Sequence, residues 1–228
     1  ALIRDFHLKV PLPRVRSEIV RGTRKTITTA NRVLEQYPAA KGYQAAGLEG
    51  NLRFALRYEP VDVGVYKTLF LTVPKQDVER WVNREPLGIF ARRAWYLYEL
   101  LTGDTLDVKN VGSGRYIDLL NEKIHIVGPK RRVQRQRVND NMLGTREFCP
   151  FIRRTPVLEH YFQKHLRVRA RKIVEGIDPS ILHRAAAYLY TKETKSSFAI
   201  EGEKPTRGRT ERFIAVLSQA GTFNVASK

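Results

Sequence analysis

The sequence predicts a mainly α protein: a helical N-terminal region with a small β-hairpin, of winged-helix-like order, followed by further long helices. Three observations carry this. Apolar residues recur at three- and four-residue spacing over much of residues 48–103 and 156–200. Prolines fall at the ends of those runs rather than inside them. The stretch of alternating β-formers is confined to a short segment around residues 115–128.

The elements follow in order. Residues 1–47 read as an extended N-terminal arm with short elements, because 11–50 is rich in Pro, Gly, Thr and Arg with little periodicity. Residues 48–142 form a helical, winged-helix-like module. Its first helix is "LEGNLRFALRYEP", with Leu48, Leu52 and Leu56 on one stripe and Pro60 as its stop. "VDVGVYKTLFLTV" is the second, ended by Pro74, and "KQDVERWVNREP" the third, ended by Pro86. "LGIFARRAWYLYELLTG" is the fourth, with Phe90, Ala94, Leu97 and Leu101 on one side and Gly103 as its C-terminal cap. In "RYIDLLNEKIHIVG" two runs of β-formers flank Asn121-Glu122, which predicts a hairpin there. Helices followed by a hairpin is the winged helix-turn-helix order. It would make 75–84 and 86–102 the turn pair and set Arg92 and Arg93 near DNA.

The composition bounds the function. The 228 residues hold 41 Lys and Arg against 23 Asp and Glu, a net charge of +18, so the chain attracts polyanions: nucleic acid, nucleotides or acidic partners. The densest basic run is "PKRRVQRQRV", with Lys130, Arg131, Arg132, Arg135 and Arg137. These side chains are either a phosphate contact without base reading or a solvated linker. Cys149 is the single cysteine, so no internal disulfide forms; it reads as a small buried hydrophobe, and a cytoplasmic location is the default. No apolar run reaches the roughly 18 residues of a membrane span, so no membrane is expected as a partner. "ALIRDFHLKV" is too interrupted by charge for a signal peptide.

From residue 143 onward a last segment begins. "PVLEHYFQKHLRVRARKIVEGI" predicts one helix with Leu158, Phe162, Leu166, Ala170 and Ile173 inward and a basic opposite face, closed by Gly176. His160 and His165 are five apart, which does not suit two ligands on adjacent turns, so no metal site is expected. Asp178 caps the next helix, with Pro179 at its first position. Leu182, Ala186 and Leu189 continue down one face, which then turns polar at Glu193 and Ser197. Glu201 follows Ser197 at i+4, Gly202 suits the left-handed residue that ends a helix, and Pro205 stops any continuation. An acid there opposes the helix dipole, so Glu201 is expected to have a basic partner, Lys204 or Arg207 being the local choices.

"SSFAIEG" resembles the inhibitory helix of the Fic (Fido) family, whose pattern is Ser or Thr, three variable residues, Glu, then Gly or Asn. Ser197, Glu201 and Gly202 occupy the three defined positions. "YLYTKETKSSFAIEGEKPTRGRTERFIAVL" resembles the segment that leads into the Fic core, and "LGTREFCPFIRRTP" resembles the region upstream of it. The resemblance implies that 143–228 begins a Fic-type α-helical domain, with the inhibitory helix at about 179–202. Fic enzymes transfer AMP from ATP to a protein hydroxyl, using a histidine in His-x-Phe-x-Asp/Glu-Gly-Asn-x-x-Arg. The resemblance makes Glu201 the residue that pairs with an active-site arginine and blocks productive γ-phosphate placement.

The catalytic motif itself does not occur: "HYFQKH" puts Gln163-Lys164-His165 where the acid, glycine and asparagine belong. The expectation is therefore the regulatory N-terminal part of a longer AMP-transferase, inactive alone. Its partners would be a catalytic Fic core and a protein target, with a homo-oligomer also open. ATP and Mg are implied for the whole enzyme and no cofactor for this chain. The alternative is a basic, winged-helix-like nucleic-acid-binding protein or regulator.

Overall fold

The computed structural model describes residues 2–39, 47–145, 148–204 and 206–218. Pro205, expected to stop the inhibitory helix, lies outside the described residues, as do the arm residues 40–46 and the segment 219–228. The chain is mainly α with small three-stranded sheets. It divides into two compact units at Thr155/Pro156, rather than at 142/143.

In the first unit, the short elements of the arm are one helix and a three-stranded sheet. After a short helix α1 (Leu2–Asp5) come β1 (Val15–Val20), β2 (Lys25–Thr28) and β3 (Val33–Pro38). Their spatial order is β1-β3-β2, with β1 parallel and β2 antiparallel to β3. Ser17, Glu35 and Tyr37 face inward. Tyr37 meets Phe54 edge-on at 5.3 Å and Tyr58 at 5.0 Å, which seats the sheet on α2 (Gly47–Tyr58). The Tyr37 hydroxyl donates to Glu35 Oε2 at 2.7 Å. Burial and that carboxylate push its pKa up.

The predicted helices are present as α2, α3 (Val63–Thr72), α4 (Lys75–Arg84) and α5 (Ile89–Thr102). Asp62 caps α3 by accepting from the N–H groups of Gly64 and Val65, at 3.0 and 3.2 Å. Gly103, at φ +81°, ends α5 as expected. These helices close a continuous core around Trp95, Leu52, Leu69, Leu97, Val78 and Trp81, each 2% exposed or less. His125 is buried too, and its Nε2 accepts the Val61 N–H at 3.0 Å.

A hairpin exists, but not around Asn121-Glu122. Residues 119–124 make a turn, and β4 (Ile117–Asp118) pairs in parallel with β6 (Val138–Asp140). The antiparallel hairpin is β5 (Arg131–Val133) with β6, so the dense basic run is itself the hairpin and not a linker. Cys149 is half-buried, and burial raises its thiol pKa.

The second unit holds α6 (Pro156–Gln163), α7 (Leu166–Glu175), α8 (Pro179–Ile200) and α9 (Arg207–Ser218). The single helix expected over 156–177 is broken: His165 sits at φ +46°, and its carbonyl accepts the N–H groups of Val168 and Arg169 at the start of α7. Phe162, Leu166 and Ile173, expected inward, are exposed, as is Leu189 on α8. No described helix is long and apolar enough to cross a membrane.

Candidate functional site

The site that the sequence singles out is the end of α8. Its start is secured by Asp178, whose carboxylate accepts the Ser180 N–H at 2.7 Å. Hydrogen bonding to Ser180 holds Asp178 below the usual carboxylate range. No glycine or proline interrupts the helix until its end. The inward stripe is Leu182, Ala186, Tyr190, Thr194 and Phe198, a strict four-residue repeat, and Ser197 and Glu201 lie beside it in solvent.

The helix stops in a Schellman turn. Gly202 is left-handed at φ +71°. Its N–H donates to the Ala199 carbonyl at 3.1 Å, and the Glu203 N–H reaches back to the Phe198 carbonyl at 2.8 Å. An apolar contact usually seals such a turn. Here a charged one takes its place. Arg209 of α9 pairs with Glu203 at 2.9 Å and lays its guanidinium 4.8 Å from the centre of the Phe198 ring. Phe198 also meets Phe213 at 6.1 Å, edge to face. An open groove of about 460 Å³ results, lined by Ser197, Phe198, Glu201, Arg209, Arg212, Phe213 and Val216.

Glu201 therefore stands on a rim with two arginines, Arg209 and Arg212, and forms no ion pair among the described residues. The local partners expected for it are otherwise engaged or apart: Arg207 pairs with Glu211 at 2.9 Å. Arg209, Arg212 and Phe213 escaped the sequence reading because nothing before the fold placed α9 against α8. The only available signal was the four-residue spacing of Arg209 and Phe213. The groove holds a carboxylate, a hydroxyl and two guanidinium groups, and among the described residues there is no cluster of metal-ligating side chains. It can present a carboxylate to a cation.

The basic candidates occupy the first unit, and most of them are fastened inside it. Arg92 is 3% exposed; its guanidinium donates to the carbonyl of Gln136 at 2.7 Å, to that of Arg115 at 3.1 Å, and to that of Arg137. Burial, then the nearby Arg137 charge, lowers its pKa. Burial likewise lowers that of Arg93, which donates to the Asp118 carbonyl at 2.8 Å. Arg137 spreads over the carbonyls of Val111, Gly112 and Gly114, at 3.0, 2.8 and 2.6 Å. Arg135 reaches Glu99 at 3.2 Å and stacks over Trp95 at 5.1 Å.

Lys130 bonds Asp118 at 2.7 Å, and Arg131 bonds Asp140 at 3.1 Å. Of the five hairpin cations, Arg132 alone has no ion pair or hydrogen bond among the described residues; it rests on Tyr116 at 5.2 Å. These side chains are chiefly staples between α5, the hairpin and the 104–116 loop. Arg92 cannot meet a DNA backbone without opening the core, and Arg93 is half-buried with its Nε on the Asp118 carbonyl.

Compared with protein-family models, with curated proteins and with solved structures, the chain matches none.

Proposed function

We propose that this chain is the regulatory part of a Fic-type protein AMP-transferase, with α8 as its inhibitory helix. The observation that supports the reading is the Schellman-capped end of α8. It holds Ser197 and Glu201 one turn apart in solvent, with the Glu201 carboxylate free of any ion pair among the described residues. A carboxylate fixed this way and left unneutralised suits a cation supplied from elsewhere. In the proposal that cation is the arginine that would otherwise hold the γ-phosphate of ATP in the catalytic core. Glu201 competes with the phosphate for it, and Ser197 steadies the helix against the core.

In the proposal the groove beside Glu201 does not itself hold the nucleotide. ATP and Mg²⁺ belong to the core, which also carries the catalytic histidine. The test uses α8 joined to that core. Glu201→Gly raises self-AMP transfer from labelled ATP by at least about tenfold, equivalent to about 1.4 kcal/mol of lost inhibition. The chain without the core transfers no label above a heat-killed control. Unchanged transfer and unchanged ATP affinity in a folded Glu201→Gly protein would remove the inhibitory role.

A further inference from the structure

Four of the five hairpin cations are tied to carboxylates or backbone carbonyls. The β1-β3-β2 sheet carries a second group of cations. The register aligns Arg16, Leu34 and Ile27 across the three strands, and beside them Glu18, Gln36 and Lys25. Ser17, Glu35 and Tyr37 occupy the opposite, inward face. Arg16 and Lys25 therefore share the outward face, one on each outer strand, and both are exposed. Arg14 and Arg32 flank it at one end, brought together by the Val33 N–H, which donates to the Arg14 carbonyl at 2.8 Å. Arg21 and Arg24 flank it at the other, in the β1–β2 connection, the Arg24 guanidinium lying 5.1 Å from the centre of the inward Tyr37 ring.

None of the six cations has an ion-pair partner among the described residues. Glu18 is the face's one carboxylate, and it accepts from Gln36 Nε2 at 2.6 Å. Six like charges around so small a sheet repel one another in the free protein, and an anionic ligand removes that repulsion.

We infer that this face binds a nucleic-acid strand through its phosphodiester backbone, without reading bases. One feature favours that ligand. The face lacks an aromatic side chain, so it has no platform on which bases could stack, while arginines and lysines suit phosphate. An anionic membrane would call for an amphipathic element with large apolar anchors, and Ile27 is the one large exposed hydrophobe on these strands.

The test is a salt series with two unrelated single-stranded oligonucleotides and the whole chain. If four of the six cations meet phosphates, log affinity falls against log salt with a slope of about −2.8, at about −0.7 per contact. The two sequences bind alike. The double substitution R16E/K25E weakens binding by at least about tenfold at low salt and makes the slope shallower by about 1.4. R132E leaves it within about twofold. If R16E/K25E fails to fold by circular dichroism, R16Q/K25Q replaces it with the same expectation.

Three results would overturn the inference. One is unchanged oligonucleotide affinity in a folded sheet variant. Another is self-association of that variant at unchanged affinity, which would make these cations guards of the sheet edges. The third is binding of phosphatidylserine vesicles, but of no oligonucleotide, by the unsubstituted chain.

Discussion

The two units handle their apolar residues in opposite ways. In the first, the large side chains close on one another: Trp95, Leu52, Leu69 and Leu97 are at 0% exposure. In the second, buried side chains among the described residues are Thr194 and Phe198, while Ile200 is 85% exposed and Ile173 and Tyr188 are each 68% exposed. The sequences of the two are about equally periodic, so amphipathic pattern alone does not decide burial. Facing elements do. Helices α2, α3 and α4 and strand β6 pack on α5, whereas the stripe on α8 meets α9 chiefly at one end, through Phe198. A helix that keeps its apolar face in water draws little stability from packing. The second unit is thus the part of the chain whose order depends most on what it meets.

The sharpest way to break the comparison is a pair of truncations. Trp95→Ala costs about 3–5 kcal/mol, because it empties a closed core. Ile200→Ala stays within about 0.5 kcal/mol, as exposed positions do. Urea unfolding of the whole chain measures both, and comparable losses would end the contrast.

A smaller effect sharpens it through pH. Burial, aided by the charges of Arg153 and Arg93, holds His125 below its ordinary value. Its Nε2 accepts the Val61 N–H, so a proton there breaks that bond. The unfolded chain therefore binds the extra proton. Stability is full above the unfolded value of about 6.5 and declines as pH falls through it. Urea midpoints taken on either side of that value reveal the decline. His125→Gln, which keeps an acceptor and cannot titrate, flattens it. An equal slope in that variant would assign the effect to other groups.

The smallest effect belongs to the end of α8. Gly202→Ala places a Cβ in open space but at φ +71°, so only backbone strain opposes it, at about 1 kcal/mol. Circular dichroism of the whole chain shows a modest loss of helix signal on warming. A shift as large as that of Trp95→Ala would mean that the turn is packed far more tightly than its exposure indicates.

Helix ends were the most legible feature. Asp178, Gly103 and Gly202 announced their caps, because capping is a local property of two or three residues. The β1-β3-β2 sheet was not legible. Its inward positions include Ser17 and Glu35, so the two-residue apolar alternation that marks a strand is missing. The hairpin was misplaced for a related reason: Ile117 belongs to a strand that pairs with residues far along the chain, and no turn signal reports that. The break at His165 has neither glycine nor proline to mark it. For the candidate site, Ser197, Glu201 and Gly202 could be picked out, but their setting could not. Arg209 enters through a tertiary contact, and the commitment of Arg92 and Arg137 to carbonyls is invisible in a count of charges.

The two sheets share one plan, β1-β3-β2 and β4-β6-β5, in which the first strand joins last in space and runs parallel to the third. In kinetic terms the plan sets an order of assembly. Each antiparallel pair closes over a few intervening residues, while each parallel pair must wait for a longer loop whose far strand is already in place. Pulse-labelled amide exchange during refolding accordingly protects β2–β3 and β5–β6 before β1 and β4 dock. Until that docking, the strand that carries Arg16 stays unpaired, and Arg16 and Lys25 are not yet side by side.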